Sequence, residues 1–212
     1  MFIRGTRVQT PPDQVDAAIA NFKQKVVPAA RATPGCMGAV LLIDRKSGAG
    51  IGSTYWESGK AMAAGEQMGV KSRTQAAADV SGTQIMNVER FEVVVMERAA
   101  PAKEGTFVRI NSANGDPDKV DAVAATIRNN LPVLKAQKGF RSVVYGVDRQ
   151  TGRSVTSTTW DTLEDLQASE HAVAGLRKDA ATTGGAQGAI EVEIFEGAVV
   201  DMTAAVAAGA RS

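Results

Sequence analysis

The sequence contains itself twice, and that constrains the fold more than any single motif. Sliding the 212 residues by 104 positions gives an ungapped correspondence from Pro28/Pro132 through Val95/Val199. Its identities include Gly35/Gly139, Asp44/Asp148, Gly48/Gly152, Trp56/Trp160, Glu66/Glu170, Arg73/Arg177 and Phe91/Phe195. Upstream the offset becomes 105 and pairs Phe2/Phe107, Arg4/Arg109, Val15/Val120 and Asp16/Asp121, so a one-residue slip falls inside the first helix. Composition bias does not preserve the spacing of rare residues such as Trp, Phe and Pro, whereas duplication does.

Both copies predict the same elements. Short extended runs at 2–9 and 106–112 lead into Thr10-Pro11-Pro12-Asp13 and Asp116-Pro117-Asp118. Each of these is a cap-type residue with Pro in the first turn, a helix start. Apolar residues then recur with helical period at Val15, Ile19, Phe22 and Val26, and at Val120, Val123, Ile127, Leu131 and Leu134. Pro28 and Pro132 should kink or end these helices. Two β-rich runs follow in each copy (36–44 with 51–57, and 140–148 with 154–161), joined by polar turns that place Gly48 and Gly152 where positive φ is expected. A second, Ala-rich helix spans about 58–78 and 162–181. A last strand, 85–97 and 190–200, alternates Glu with apolar residues, so one of its faces is wet. The order β-α-β-β-α-β is the split-βαβ, ferredoxin-like pattern. The expected division is 1–98 for the first repeat, 99–105 for a linker, 106–200 for the second repeat and 201–212 for a flexible tail.

Such a unit leaves one sheet face bare, which a chain with two copies can cover by packing its two sheets together. The expected class is therefore α+β, two tandem ferredoxin-like units forming an intramolecular pseudo-dimer, with further self-association left open. Hydrophobic residues at 44% suffice for a core. The balance of 24 basic against 23 acidic residues, with no basic block, argues against nucleic acid. No apolar stretch approaches a membrane span, and no leader-like segment opens the chain, so a soluble cytoplasmic protein is expected. Cys36 is the lone cysteine, which excludes an intrachain disulfide and a cysteine-based metal cluster.

The element order, together with Tyr55-Trp56-Glu57-Ser58, Thr159-Trp160-Asp161-Thr162 and Ala168-Ser169-Glu170-His171, resembles the dimeric α/β-barrel superfamily. Within it the chain is similar to the antibiotic-biosynthesis-monooxygenase-like (ABM) proteins. The resemblance implies a cofactor-independent monooxygenase acting on a small aromatic or polyketide-like substrate, whose own carbanion meets oxygen. It also leaves room for a non-catalytic ligand-binding or stress-response barrel. A haem-binding or haem-degrading barrel is the third alternative, because Asn111, Trp160 and His171 supply the residue types of that branch.

Comparison of the halves separates candidates from packing residues. His171, the only histidine, matches Gln67; Asn111 matches Thr6; Tyr145 matches Leu41. These three asymmetric residues are the expected catalytic group, with His171 taking a proton and Asn111 or an arginine holding an oxyanion. Trp160, Arg109 and Phe195 are the expected ligand-binding residues, although their symmetric partners Trp56, Arg4 and Phe91 equally suit packing. On this reasoning the pocket belongs in the second half. Gly48-Ala49-Gly50-Ile51-Gly52 is no phosphate loop, since a strand follows it rather than a helix.

Overall fold

A computed structural model of the chain describes residues 1–203. The expected tail, 201–212, lies almost wholly outside the described residues. Strand β1 (Phe2–Gln9) enters a 3₁₀ turn at Pro12–Gln14 and helix α1 (Val15–Asn21). A π-helical segment, Phe22–Val26, then leads into α2 (Val27–Ala32). The hairpin β2 (Cys36–Ile43) and β3 (Ala49–Trp56), helices α3 (Gly59–Ala64) and α4 (Glu66–Ala78), and strand β4 (Gln84–Arg98) complete the first βαββαβ. The second runs through β5 (Thr106–Asn114), α5 (Val120–Asn129), α6 (Leu131–Lys135), β6 (Phe140–Val147), β7 (Arg153–Trp160), α7 (Leu163–Ala168), α8 (Glu170–Thr183) and β8 (Gln187–Met202). The hydrogen-bonded strand order β1-β3-β2-β8-β5-β7-β6-β4 closes on itself as an eight-stranded barrel, the α+β architecture that the repeat implies.

The chain divides into two compact units whose membership is not simply first half and second half. Unit 1 holds residues 1–90, 102–104 and β8 from Phe195 onward; unit 2 holds 91–101 and 105–194. Within unit 1, β2 pairs antiparallel with the end of β8, from Ile43↔Glu196 to Gly38↔Met202. Within unit 2, β6 pairs with the end of β4, from Val147↔Glu92 to Ser142↔Arg98. Each long fourth strand thus finishes in the unit that the other repeat begins.

Two local features trace directly to the residues. The extra residue of the first repeat is taken up by the π-helical segment at Phe22–Val26, immediately before Pro28. A π turn is the form an α-helix adopts to hold one inserted residue, and Pro28 supplies no N–H to pull the ladder back into register. In the second repeat, which lacks the insertion, the helix instead breaks between α5 and α6, just before Pro132. At Gly48 φ is +73°, and a Cβ there would run into the Thr10 carbonyl, so the β2–β3 turn requires glycine.

Packing differs between the units. In unit 2 a single cluster joins Val120, Val123 and Ile127 of α5 to Leu134, Val143, Tyr145, Leu166, Val173 and the fully buried Trp160. Trp160 stacks edge-on against Phe140 with ring centroids 5.5 Å apart and donates to Thr158 Oγ1 at 3.1 Å. The core of unit 1 is split, with Phe22, Val27, Leu41 and Val199 in one group and Val15, Ile43 and Ala198 in another. No helix among the described residues is long and apolar enough to cross a membrane. Truncating the Trp160 ring should cost about 3–5 kcal/mol. Urea unfolding of Trp160→Ala is expected to show that loss, while Met86→Ser, at a 63% exposed position, stays within about 0.5 kcal/mol of the parent.

Candidate functional site

Each unit encloses a cavity under its helices, and the two differ in size by severalfold. The cavity of unit 1 measures about 480 Å³, inside the roughly 300–1,000 Å³ that small-molecule sites occupy. That of unit 2 measures about 100 Å³, too small for a ring-sized ligand. The larger space comes from smaller residues at matching positions. Leu41, Gly52 and Gly69 line it where Tyr145, Thr156 and Val173 line the cavity of unit 2. At Gly52 a Cβ would lie 3.1 Å from the Phe22 ring, and at Gly65 one would lie 2.5 Å from the Trp56 ring. The two glycines therefore let these rings form walls of the cavity.

One rim of this apolar chamber is cationic. Arg4, on β1, is only 4% exposed; it donates to the Met62 carbonyl oxygen, pairs with Glu66 Oε2 at 3.0 Å and lies over the Trp56 ring at 4.8 Å. Arg73, on α4, pairs with Glu66 Oε1 at 2.7 Å, and Arg90 reaches the same oxygen at 3.0 Å. Three guanidinium groups thus share one carboxylate. Burial alone would raise the Glu66 carboxyl, but the Arg73 hydrogen bond and the neighbouring cations outweigh it and hold the group below its ordinary value. Burial pulls the Arg4 guanidinium down, Glu66 opposes this, and Arg73 and Arg90 add to it. Arg4 Nε and Arg73 Nη1 are buried and donate no hydrogen bond to any described residue. A Cβ on Gly69 would clash with Arg4 Nη1 and lie 3.3 Å from Arg73 Nη1, so the helix approaches both guanidiniums because it carries glycine there.

The corresponding brace of unit 2 is closed. Arg109 Nη2 pairs with Glu170 Oε2 at 2.9 Å and donates to the Leu166 carbonyl at 2.7 Å, while Arg109 Nη1 donates to Ser169 Oγ at 3.3 Å. Arg177 Nη2 pairs with Glu170 at 2.6 Å, and its Nη1 donates to Asn111 Oδ1 at 3.4 Å. Ile194 stands where the first half has Arg90.

The residues singled out from the sequence do not converge. Asn111 and Tyr145 line the small cavity of unit 2. Burial pushes the Tyr145 phenol up, which keeps it protonated near neutral pH. His171 is exposed on α8 and lines neither cavity. Trp160 and Arg109 are buried in the unit 2 packing, and Phe195 is a buried residue of unit 1. The pocket expected in the second half is, at ligand size, in unit 1. Asn111, Trp160 and His171 are not brought together, since His171 is exposed, Trp160 is enclosed and Asn111 lines the small cavity. Thr6, Gly52, Gly65 and Gly69 line the larger cavity without standing out in the sequence as chemical groups. The signal for them was present as small residues in one half facing large ones in the other. Cys36 also lines the unit 1 cavity, but burial raises its thiol and leaves it a weak nucleophile.

No family model matches the chain. Among curated proteins it is 32% identical over 168 residues to Rv2557 of Mycobacterium tuberculosis, covering 79% of this chain and 74% of that protein. It is 29% identical over 204 residues to Rv2558 of the same organism, covering 95% and 85%. Among solved structures, FN1347 of Fusobacterium nucleatum superposes with a TM-score of 0.69 at 12% identity, covering 95% of this chain and 94% of that one. An anthrone oxidase-like protein gives 0.65 at 14% identity, covering 92% and 90%. A Listeria monocytogenes ferredoxin-fold protein related to antibiotic biosynthesis monooxygenases gives 0.52 at 10%, covering 92% and 95%. The fold is that of the ABM-like dimeric α/β barrels.

Because Glu66 is held below its ordinary carboxyl value of 4.5, its stabilising contribution is complete above that pH and fades as the pH falls through the folded-state value. Glu66→Gln should cost about 1–2 kcal/mol at pH 7, a charged hydrogen bond discounted for the 29% exposure of the carboxylate. Thermal midpoints of parent and variant should converge as the pH falls below 4.5 and through the folded-state value; a gap that stays constant across the acid range would show that the ion cluster contributes nothing.

Proposed function

We propose, for a chain that belongs to the family of the Mycobacterium tuberculosis protein Rv2557, a monooxygenase-like reaction on a planar, ring-containing substrate held in the unit 1 cavity. The observation that carries this reading is the pairing of an apolar chamber of about 480 Å³ with a cationic rim at one side. Phe22, Trp56 and Leu41 offer flat apolar walls to fused rings. Arg4 and Arg73 offer positive charge to a phenolic or enolic oxygen. Stabilising the enolate lowers the acidity threshold of the substrate, so a proton can pass to water without a strong protein base. His171 has no part in this scheme.

The electron-rich carbanion then meets dioxygen directly. For an anthrone-type methylene, CH₂ plus O₂ gives C=O plus H₂O: the carbon loses two C–H bonds and four electrons, and dioxygen takes up those four electrons together with two protons. The protein supplies binding, charge and a dry wall rather than a redox group. The similarity to an anthrone oxidase-like protein makes this the first chemistry to try. A second reading, ligand binding without turnover, is favoured by the lack of a histidine or aspartate among the cavity-lining residues.

Oxygen uptake with anthrone, corrected for the spontaneous rate, separates the two. Turnover is expected with one O₂ consumed per anthrone oxidised. Leu41→Tyr, which places the residue of unit 2 in the cavity of unit 1, should lower kcat/KM at least tenfold, and His171→Ala should leave it unchanged. Saturable binding with no uptake above the protein-free control would establish the binding-only reading. Loss of activity in His171→Ala would overturn the site assignment.

A further inference from the structure

The two braces share an Arg–Glu–Arg core and differ in the contacts around it. In both units the α4 or α8 arginine fixes its Nη2 on the same glutamate oxygen, at 2.7 Å in unit 1 and 2.6 Å in unit 2. The unit 1 counterparts of Arg177 and Asn111, Arg73 on the helix and Thr6 on the first strand, both line the cavity. In unit 2 the strand answers with an acceptor, Asn111 Oδ1, at 3.4 Å. In unit 1 the matching strand position is Thr6, which faces Gly52 across the ladder as Asn111 faces Thr156. Thr6 lines the cavity, and Arg73 Nη1 is left buried without a described hydrogen-bond partner. Such a donor is costly unless something satisfies it. Charge points the same way, since unit 1 sets Arg4, Arg73 and Arg90 around Glu66 while unit 2 sets only two arginines around Glu170.

We propose that the Asn111 side chain of unit 2 marks, by internal analogy, where the ligand of unit 1 places an anionic oxygen. Arg73 Nη1 is the donor that receives it, and Thr6 is the specificity-determining residue that keeps the place open. The ligand class is an apolar, ring-sized molecule bearing a carboxylate or enolate oxygen. This rests on the reading that the unit 1 cavity is the binding site, but not on any turnover there.

The probes are 2-naphthoate and methyl 2-naphthoate, which share a ring system and differ in charge, measured by calorimetry at neutral pH. The parent protein should bind the acid at least tenfold more tightly than the ester. Thr6→Asn, which grafts the acceptor of unit 2 beside Arg73, should abolish that preference chiefly by weakening the acid. Thr6→Val, similar in size and without an acceptor, should retain it. Should Thr6→Asn fail to fold by circular dichroism, Arg73→Gln carries the same expectation. Equal affinity for acid and ester, no binding of either at millimolar concentration, or a preference that survives both Thr6→Asn and Arg73→Gln would overturn the proposal. Retained preference without oxygen uptake removes the oxygenase reading and leaves this one intact.

Discussion

A β-strand needs a hydrogen-bonding partner along its whole length, and the fourth strand of each repeat is too long to find one at home. β4 and β8 have 15 and 16 residues, whereas β1, β2 and β3 have 8 each. Their terminal halves pair with β6 and β2 respectively, so the backbone groups that would form an open edge are satisfied. This requirement explains why the compact units exchange strand ends, and why Phe91 and Phe195 are buried in units other than those of their own repeats. It also stabilises the hairpins that carry Trp56 and Trp160.

On that common frame the two halves have diverged in packing more than in polar contacts. Unit 2 keeps Tyr145, Thr156 and Val173, fills its interior and closes its arginine brace on Asn111. Unit 1 replaces these with Leu41, Gly52 and Gly69, adds a residue as a π turn beside Phe22, and leaves a chamber with unsatisfied guanidinium atoms. A π turn and an unpaired buried donor are each small departures from optimal packing, and both fall on the wall of the same cavity. Departures from local stability rules gather where a fold binds or reacts. Structures that share the fold at 8–14% identity establish the architecture; the asymmetry between the units is what sets the ligand-sized cavity apart from the small one.

Much of the fold was legible because it rests on local, periodic signals. The Val120, Val123 and Ile127 stripe is buried as its spacing requires, the Gly48 and Gly152 turns have positive φ, and the second helices begin beside Ser58 and Thr162 as expected. The breaks at Gly65 and Ser169, which divide each second helix, were missed because an Ala-rich run gives no periodic cue to a bend. The site was harder to read. His171, Asn111 and Tyr145 stood out for their chemistry, whereas a cavity is made of what side chains lack. Gly69 opposite Val173 is visible in the sequence, but its effect depends on which helix face turns inward.

The sequence by itself determined the duplication, the element order and the retained Arg–Glu–Arg residues, since each is written in spacing and residue type along one chain. Only the tertiary structure decided where the fourth strands pair, which half encloses a ligand-sized space, and that Arg73 lacks the partner that Arg177 finds in Asn111. Those outcomes depend on volumes and distances between residues 40–170 positions apart, and no one-dimensional pattern records such separations.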